Sequence, residues 1–530
     1  MGKRKKVQDM KVVAKTTKSK VSYQLAINII EEQFGPLAKT VAEVMSRFDN
    51  MKLKDIVNIL KVTNPKSDVA KQETVELILA AFSQHNILLD MCVDEYESNN
   101  TTFTLDVDAI IFRLRCDKMR HFLQHVKYKN NDIKGIAAAE IFRVLWRAGR
   151  MQKSVLTEKV EKSLSDSGMK KVTDTIIRDT INELYDHEYI YDVPKAINPL
   201  SIANHERSKK ARKTETSIDR SVAIAMDKEE ATAPIRVNTD RFFRSFRISG
   251  YREKCDEFID HNPLLESKDE ASRLMQCFFD IIETKFQGRV TETVKSGYLV
   301  DGSTDRRMTQ SVLSSLIIPS SVNIPTLLSQ RSEGKDVWYY FSWKKVLERM
   351  RRDIIVNIVE EQFGTDHNRI FRLLLDSTYI EEKQVSHRAL IEPKKTRQVL
   401  YDMFRGGYLK MQEVPKKSDY NAQTTLYLWN VPIDDVVERH VQHLIFMMLN
   451  LRIKRTSVYE TNWDLIDRFQ REIVNKEEEK AATETYEVVQ KHLTALLVQI
   501  HRLDDTLLCL GDTTDESFLR IKRRQNCYSD

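Results

Sequence analysis

Apolar positions along this chain recur mostly at helical spacing, and the clearest run opens at Asp353. Ile355, Ile358, Val359 and Phe363 share one side of a helix that ends at Gly364. Ile370, Leu373 and Leu374 mark a second helix from Ile370 to Asp376. Ile380 starts a short extended piece. Lys383 to Leu390 predicts a third helix and Pro393 to Arg405 a fourth, with proline suited to its first turn and Gly406-Gly407 to its end. Tyr408 to Val414 then alternates with period two. A polar turn from Pro415 to Ala422 leads into a second strand, Leu426 to Trp429.

Helices followed by a two-stranded hairpin is the plan of a winged helix, a helix-turn-helix variant whose last helix and wing face nucleic acid or another protein. The pattern echoes itself. Asn28-Ile29-Ile30-Glu31-Glu32-Gln33-Phe34-Gly35 returns at Asn357 to Gly364 with one conservative change, Ile30 to Val359. Ile141-Phe142-Arg143-Val144-Leu145 resembles Ile370-Phe371-Arg372-Leu373-Leu374, and Met151 falls where Ile380 falls. Two matches at equivalent places argue for a repeated domain.

Taken in order, residues 1–20 read as a basic tail and 21–128 as a first winged helix. There Tyr23, Ile27, Ile30, Phe34, Leu37, Val41, Val44 and Phe48 mark one continuous helical stripe. Helices at Lys52 to Lys61 and Ser67 to His85 follow. A wing is built from Ile87 to Val93 and Thr102 to Leu105, and a returning helix runs from Ile110 to His125. Residues 132–200 form a second unit, with helices from Ile136, Ser154 and Val172 and a strand at Tyr189 to Val193. Residues 201–236 lose the apolar rhythm and read as a mobile linker. Residues 237–345 form a third unit. Its helices are expected at Arg241 to Phe246, Lys254 to Ile259, Glu270 to Lys285 and Ile324 to Gln330, with a long loop over Gln287 to Gln310. The aromatic run Val337 to Trp343 is expected to be a buried central strand rather than a base-stacking surface. Residues 346–431 are the fourth unit. From 432 to 530 the pattern is helical only: Val437, Val441, Leu444, Met448 and Leu451 line one helix. Tyr486, Val489, Leu493, Leu496, Ile500, Leu503, Leu507 and Leu510 form a heptad seam that predicts a coiled coil. Lys476 to Lys480 reads as the turn before it. The fold class is therefore mainly α with small sheets (α+β): four tandem winged helices, then a C-terminal helical coiled coil.

Composition adds four points. Gly 14 and Pro 11 are few for 530 residues, which favours helix, and the six cysteines form no C-x-x-C pair, so a reducing compartment is expected. Apolar runs reach only six residues, far short of the ~20 of a membrane span. The charge is concentrated. The chain holds 84 basic and 78 acidic residues, but 76 and 77 once the first 20 are set aside. A neutral body leaves nucleic-acid contact to local patches and suits a subunit of something larger. Lys3-Arg4-Lys5-Lys6 and Lys209-Lys210-Ala211-Arg212-Lys213 have import-signal composition, and ordinary solvated segments explain them equally well.

Catalytic signatures are missing: the sequence has no G-x-x-x-x-G-K-[ST], G-x-G-x-x-G, H-E-x-x-H or G-x-S-x-G. His440 and His443 lack a third ligand and read as surface histidines. The pairs Asp504-Asp505 and Asp106/Asp108 read as solvated. No metal, cofactor or enzymatic site is expected. Charge at the predicted recognition helix is more informative. With Thr396, Val399, Leu400, Met403 and Phe404 inward, Lys394, Gln398 and Arg405 lie opposite and Lys395 and Arg397 flank them. Lys416 and Lys417 sit at the wing tip. Lys170, Lys171 and Arg178 take the same part in the second unit, and Lys66 and Lys71 in the first. These are the candidates for phosphate contact. Asp402 and Asp179 lie among them, as on any solvated face.

Asn357 to Gly364, Arg369 to Leu375, Ile380 to Val385, Leu400 to Met403 and Gln412 to Lys416 together resemble the third-largest subunit of nuclear RNA polymerase III. Asn238 to Phe242 followed by Phe246-Arg247 is similar to the start of that family's third unit. The likeness runs from about residue 23 to the end and is strongest over 355–431. The basic extension of residues 1–20 departs from the family pattern. The resemblance implies a nuclear, non-catalytic subunit of a three-subunit initiation module on the clamp of the largest subunit, akin to the large subunit of transcription factor IIE. It implies recruitment through promoter-bound transcription factor IIIB, and help in opening DNA near the bubble for synthesis of transfer RNA, 5S ribosomal RNA and other short RNAs. The competing reading is a cullin-like or regulatory scaffold of winged helices that binds only proteins.

Overall fold

Gly35 divides what the apolar stripe presents as one helix. In the computed structural model Lys20–Phe34 (α1) and Pro36–Arg47 (α2) are separate, joined by Gly35 at φ +87°. That left-handed backbone suits glycine, and Pro36 opens the next helix without an N–H to place. The stripe therefore does not continue: Leu37 is 45% and Phe48 53% exposed. The same device recurs at Gly364 (φ +93°), where the echoed sequence ends its helix. The structure describes residues 20–48, 51–63, 71–89, 102–129, 132–166, 172–193, 233–265, 267–300, 306–318, 325–333, 336–415, 425–470 and 479–511. The basic tail, the Lys209–Lys213 cluster, the Glu95-to-Asn100 turn and most of the expected linker lie outside them.

The chain is mostly helical, with small antiparallel sheets. In the first unit Met51–Lys52 (β1), Leu53–Thr63 (α3) and Gln72–Gln84 (α4) precede Leu88–Leu89 (β2) and Thr102–Leu105 (β3). β3 lies between β1 and β2, pairing Phe103 with Met51 and Leu105 with Leu88. The helix expected from Ile110 is wound unevenly. Val107–Phe112 (α5) and Cys116–His121 (α6) are separated by a tight turn and followed by a wider, π-wound one. Asp106, expected in solvent, is 5% exposed and caps α5 by accepting from the Ala109 N–H at 3.1 Å.

The second unit holds Asp132–Ala148 (α7), Lys153–Asp166 (α8), Asp174–Asp186 (α9) and Ile190–Asp192 (β4). Its partner strand is Ile235–Val237 (β5), pairing Ile190 with Val237 and bridging Met151 through Ile235. The span 201–236 is thus not linker to its end. Three residues are too short for apolar rhythm to reveal a strand. Next come Thr239–Asp260 (α10) and Lys268–Lys285 (α11). α10 is a single helix running through Gly250 rather than two short ones. The expected loop over 287–310 instead contains Val294–Lys295 (β6), Ser296–Val300 (α12) and the start of Arg306–Ile317 (α13). The helix expected near Pro325 is a strand, Leu328–Glu333 (β7), which pairs along Asp336–Phe341 (β8). β8 is the central strand of β6-β8-β7. Tyr339 and Phe341 are buried, while Tyr340 points out.

Trp343–Phe363 (α14) crosses the expected start of the fourth unit at 346 without a break. Thr365–Leu375 (α15), Ile380–Glu381 (β9), Glu382–Ala389 (α16) and Pro393–Arg405 (α17) follow, then Lys410–Pro415 (β10) and Thr425–Asn430 (β11). The chain ends in Ile433–Thr461 (α18), Trp463–Gln470 (α19) and Glu479–Gly511 (α20). α18 and α20 pack along each other. Leu496, Ile500, Leu507 and Leu510 are buried, and Tyr486, Val489, Leu493 and Leu503 half-buried, so every seam position turns inward. Tyr486 stacks on Phe469 with ring centres 4.3 Å apart.

One core joins elements from both ends of the chain: Leu25 and Ile29 of α1, Ile370 and Leu374 of α15, Met448 of α18 and Ile500 of α20 belong to it. Two smaller cores serve 119–246 and 248–350. Asp504 does not face water. At 2% exposure it takes Arg115 Nη2 at 2.7 Å and Nε at 2.9 Å, and Arg115 is itself 6% exposed. Beside it Lys118 pairs with Asp505.

His85 supplies a pH dependence. It packs against Phe34, ring centres 5.0 Å apart, and its Nδ1 has no partner among the described residues. Burial, with the charges of Arg113 and Arg236, lowers its pKa to about 4. The unfolded chain takes up a proton near pH 6.5 that the folded chain refuses. Stability is therefore present above pH 6.5 and is lost as pH falls toward 4, by about 1–2 kcal/mol at pH 5. Denaturant melts of wild type and His85→Gln at pH 7 and pH 5 test this. The same acid loss in both would rule His85 out as its source.

Candidate nucleic-acid interface

α17 is set by its two faces. Pro393 occupies the first turn, and Thr396, Val399, Leu400 and Met403 are buried. The fully buried Thr396 hydroxyl donates to the Ile391 carbonyl at 3.3 Å, so the polar group on the inner face has its partner. Phe404, expected inward, is 41% exposed. Position 404 lies at the margin of the buried arc rather than within it, and its ring meets that of Trp429 with centres 5.9 Å apart, as Tyr401 does at 5.6 Å. Trp429 is the buried anchor of the wing (2% exposed), held in register opposite Met411 and Ile380. The remainder of β10 stands largely in solvent, so the hairpin projects from the body. Gly407 turns the chain from helix to wing at φ +75°, and a Cβ there would run into the Arg439 guanidinium, which donates to the Gly406 carbonyl at 2.6 Å.

The outward cations divide into two groups. Lys394 and Arg405 are exposed and have no carboxylate partner among the described residues. Lys395 pairs with Asp366 of α15, and Arg397 pairs with Glu382 of α16 at 2.8 Å. The hydrogen bond and charge of Lys395 hold the Asp366 carboxyl below its ordinary range. These exposed pairs are screened by solvent and weak, yet they leave two of the four cations of the helix already matched by carboxylates. Tyr401, Gln398 and the acidic Asp402 are exposed on the same helix. Arg178 on α9 is exposed but tied to Asp174 one turn back at 2.9 Å. Lys71 is exposed at the start of α4. Lys66, Lys170, Lys171, Lys416 and Lys417 lie outside the described residues. The aromatic trio Tyr401, Phe404 and Trp429 went unnoticed in the sequence, although the spacing of Tyr401 and Phe404 near the helix end carried the signal.

His440, expected at the surface, is 7% exposed and packs on the Tyr408 ring at 5.4 Å. Burial, then the neighbouring His443 and Arg439, lowers its pKa. No group of three or more His, Cys, Asp or Glu side chains among the described residues is placed to hold a metal ion, and no helix there is long and apolar enough to cross a membrane.

The α14–β11 stretch carries the likeness to known proteins. Residues 355–431 match the family model described as the POLR3C C-terminal winged-helix domain. The chain is similar to RNA polymerase III subunit RPC3. It is 24% identical to the RPC3 of Dictyostelium discoideum over 196 residues, which cover 36% of this chain and 29% of that one. To human RPC3 it is 31% identical over 133 residues, 25% of each chain. To mouse RPC3 it is 23% identical over 237 residues, 44% of this chain and 43% of the other. The matched stretches thus span between a quarter and less than half of the RPC3 relatives' length, and the RPC3 likeness is firmest where the winged helix carries α17 outward.

Proposed function

We propose that the chain is a non-catalytic subunit of DNA-directed RNA polymerase III in the nucleus. It would form part of an initiation heterotrimer on the clamp of the largest subunit. There it supports recruitment through promoter-bound transcription factor IIIB and the opening of promoter DNA, for synthesis of transfer RNA, 5S ribosomal RNA and other small RNAs. Its architecture is read as four winged helices followed by a C-terminal coiled coil of α18 and α20. The observation that carries the reading is the family match over 355–431, on a winged helix that exposes Lys394, Gln398 and Arg405 along one face. The neutral body agrees with a guiding rather than gripping role on DNA. A protein-only scaffold is favoured by one observation: Asp366 and Glu382 already occupy two of the four cations of α17.

Purification of the tagged chain from nuclei through a salt wash, with mass spectrometry of what is retained, tests the assignment. Large polymerase III subunits are the expected companions. Ubiquitin-ligase or other regulatory components without polymerase would replace it with the scaffold reading. The DNA role has its own test. Lys394→Glu with Arg405→Glu is expected to weaken salt-dependent DNA binding by the full chain and to lower the salt slope by about 2. Lys395→Glu with Arg397→Glu should do less, because those charges are already paired. Promoter opening in a reconstituted reaction should fall with the first pair. Unchanged opening and an unchanged slope in the first pair would remove α17 from the DNA path.

A further inference from the structure

The echoed octapeptide is used differently in its two copies. On α1, Leu25, Asn28, Ile29 and Glu32 make one stripe at positions i, i+3, i+4 and i+7. α18 covers this stripe, and Leu25 and Ile29 are fully buried. Arg452 of α18, 7% exposed, donates through Nε to Asn28 Oδ1 at 3.0 Å and pairs with Glu32. Arg455, one turn on, reaches the other Glu32 oxygen at 3.0 Å. On α14 the equivalent stripe is Ile354, Asn357, Ile358 and Glu361. Asn357 and Glu361 are exposed and without a partner among the described residues, and the two isoleucines are only half-buried.

The other polar members of the motif keep their work in both copies. Glu31 reaches Lys39 at 2.8 Å, and Glu360 reaches Asn368 at 2.5 Å, each on the following helix. Gln33 accepts from Arg113 at 2.5 Å, and Gln362 from the Tyr408 hydroxyl at 2.5 Å. What differs is the one face that takes an arginine-bearing helix in the first copy.

We propose that the Ile354/Asn357/Ile358/Glu361 face of α14 is a docking surface for an α-helix of another protein chain. That helix carries two arginines three residues apart beside an apolar flank, the chemistry with which α18 presents Arg452 and Arg455. The carboxylate and amide fix register and orientation, and the isoleucines supply the apolar contact. The identity of the partner as a neighbouring subunit rests on the polymerase reading; the chemistry of the face does not.

The test places a photo-crosslinking benzoylphenylalanine at position 357 of the tagged full chain in cells and sequences the cross-linked peptide. The expected product is a peptide of another chain with arginines three or four apart. Its yield should fall at least tenfold in Glu361→Arg, with thermal stability unchanged, and recover when the facing arginine of the partner is changed to glutamate. Cross-linking to this chain's own residues 512–530 (which include Arg520 and Arg523), to nucleic acid, or to nothing while the assembly is still recovered would overturn the proposal. Such a peptide from a protein other than a polymerase subunit would uphold the docking face and defeat the polymerase reading.

Discussion

Asp504→Ala is expected to free the end of α20 from the rest of the protein at a cost of about 3–5 kcal/mol, because it leaves the Arg115 guanidinium buried without its counter-charge. Two hydrogen-bonded oxygens and near-complete burial put this pair in a different class from the solvent-screened surface pairs of α17. The asymmetry gives a second, sharper expectation. Arg115→Met with Asp504→Leu removes both charges together, and it should be far milder than either single loss. A protein whose described residues divide among three cores need not unfold in one step. The measurement is therefore amide hydrogen exchange along 496–511, beside the melting temperature. Undiminished protection in Asp504→Ala would show that the apolar seam holds α20 unaided.

Leu496→Asp should be at least as damaging, by about 3 kcal/mol or more, since it deletes a 5%-exposed side chain and puts a carboxylate in its place on the seam. Leu503→Asp should cost less, because Leu503 is only half-buried and water can reach the new charge. The order of the two variants matters more than either value. A seam that closes within the chain predicts Leu496 above Leu503, whereas equal effects would mean that the helix face is closed by something else. The damage should also spread. The core under α20 is continuous with that of α1 and α15, so limited proteolysis of Leu496→Asp should open sites in the first unit as well as in the last.

How much of this was legible in the sequence depended on length of signal. α17 was readable to the residue because a proline, a four-position apolar face and two glycines all agree over thirteen positions. The heptad of α20 was readable for the same reason. The turn at Gly35 was lost because the apolar rhythm happens to run on through it. Its equivalent at Gly364 was read as a stop from an identical glycine, so comparison of the two copies held the answer. β5 and β7 are not legible as strands because three residues, or six that begin three positions after Pro325, carry too little periodicity to compete with a helical neighbourhood. On α17, sequence placed the cations on the exposed face but did not find their partners. Asp366 and Glu382 lie 29 and 15 residues from the cations they engage. Asp504 failed more completely, since its partner is 389 positions away and nothing local distinguishes a buried aspartate from a solvated one.

The joining of α1 to α18 and α20 has a consequence for how the protein is made. Glu32 leaves the ribosome 420 residues ahead of Arg452, and Ile500 and Asp504, against which elements of the first unit are also finished, emerge later still. At the usual pace of about 5–20 residues per second, the first unit waits on the order of tens of seconds with an apolar helix face uncovered. Vectorial synthesis thus runs against this architecture. The middle cores can form as they emerge, whereas the first unit is completed only once α20 has emerged, and a premature stop anywhere before α20 leaves it permanently unfinished.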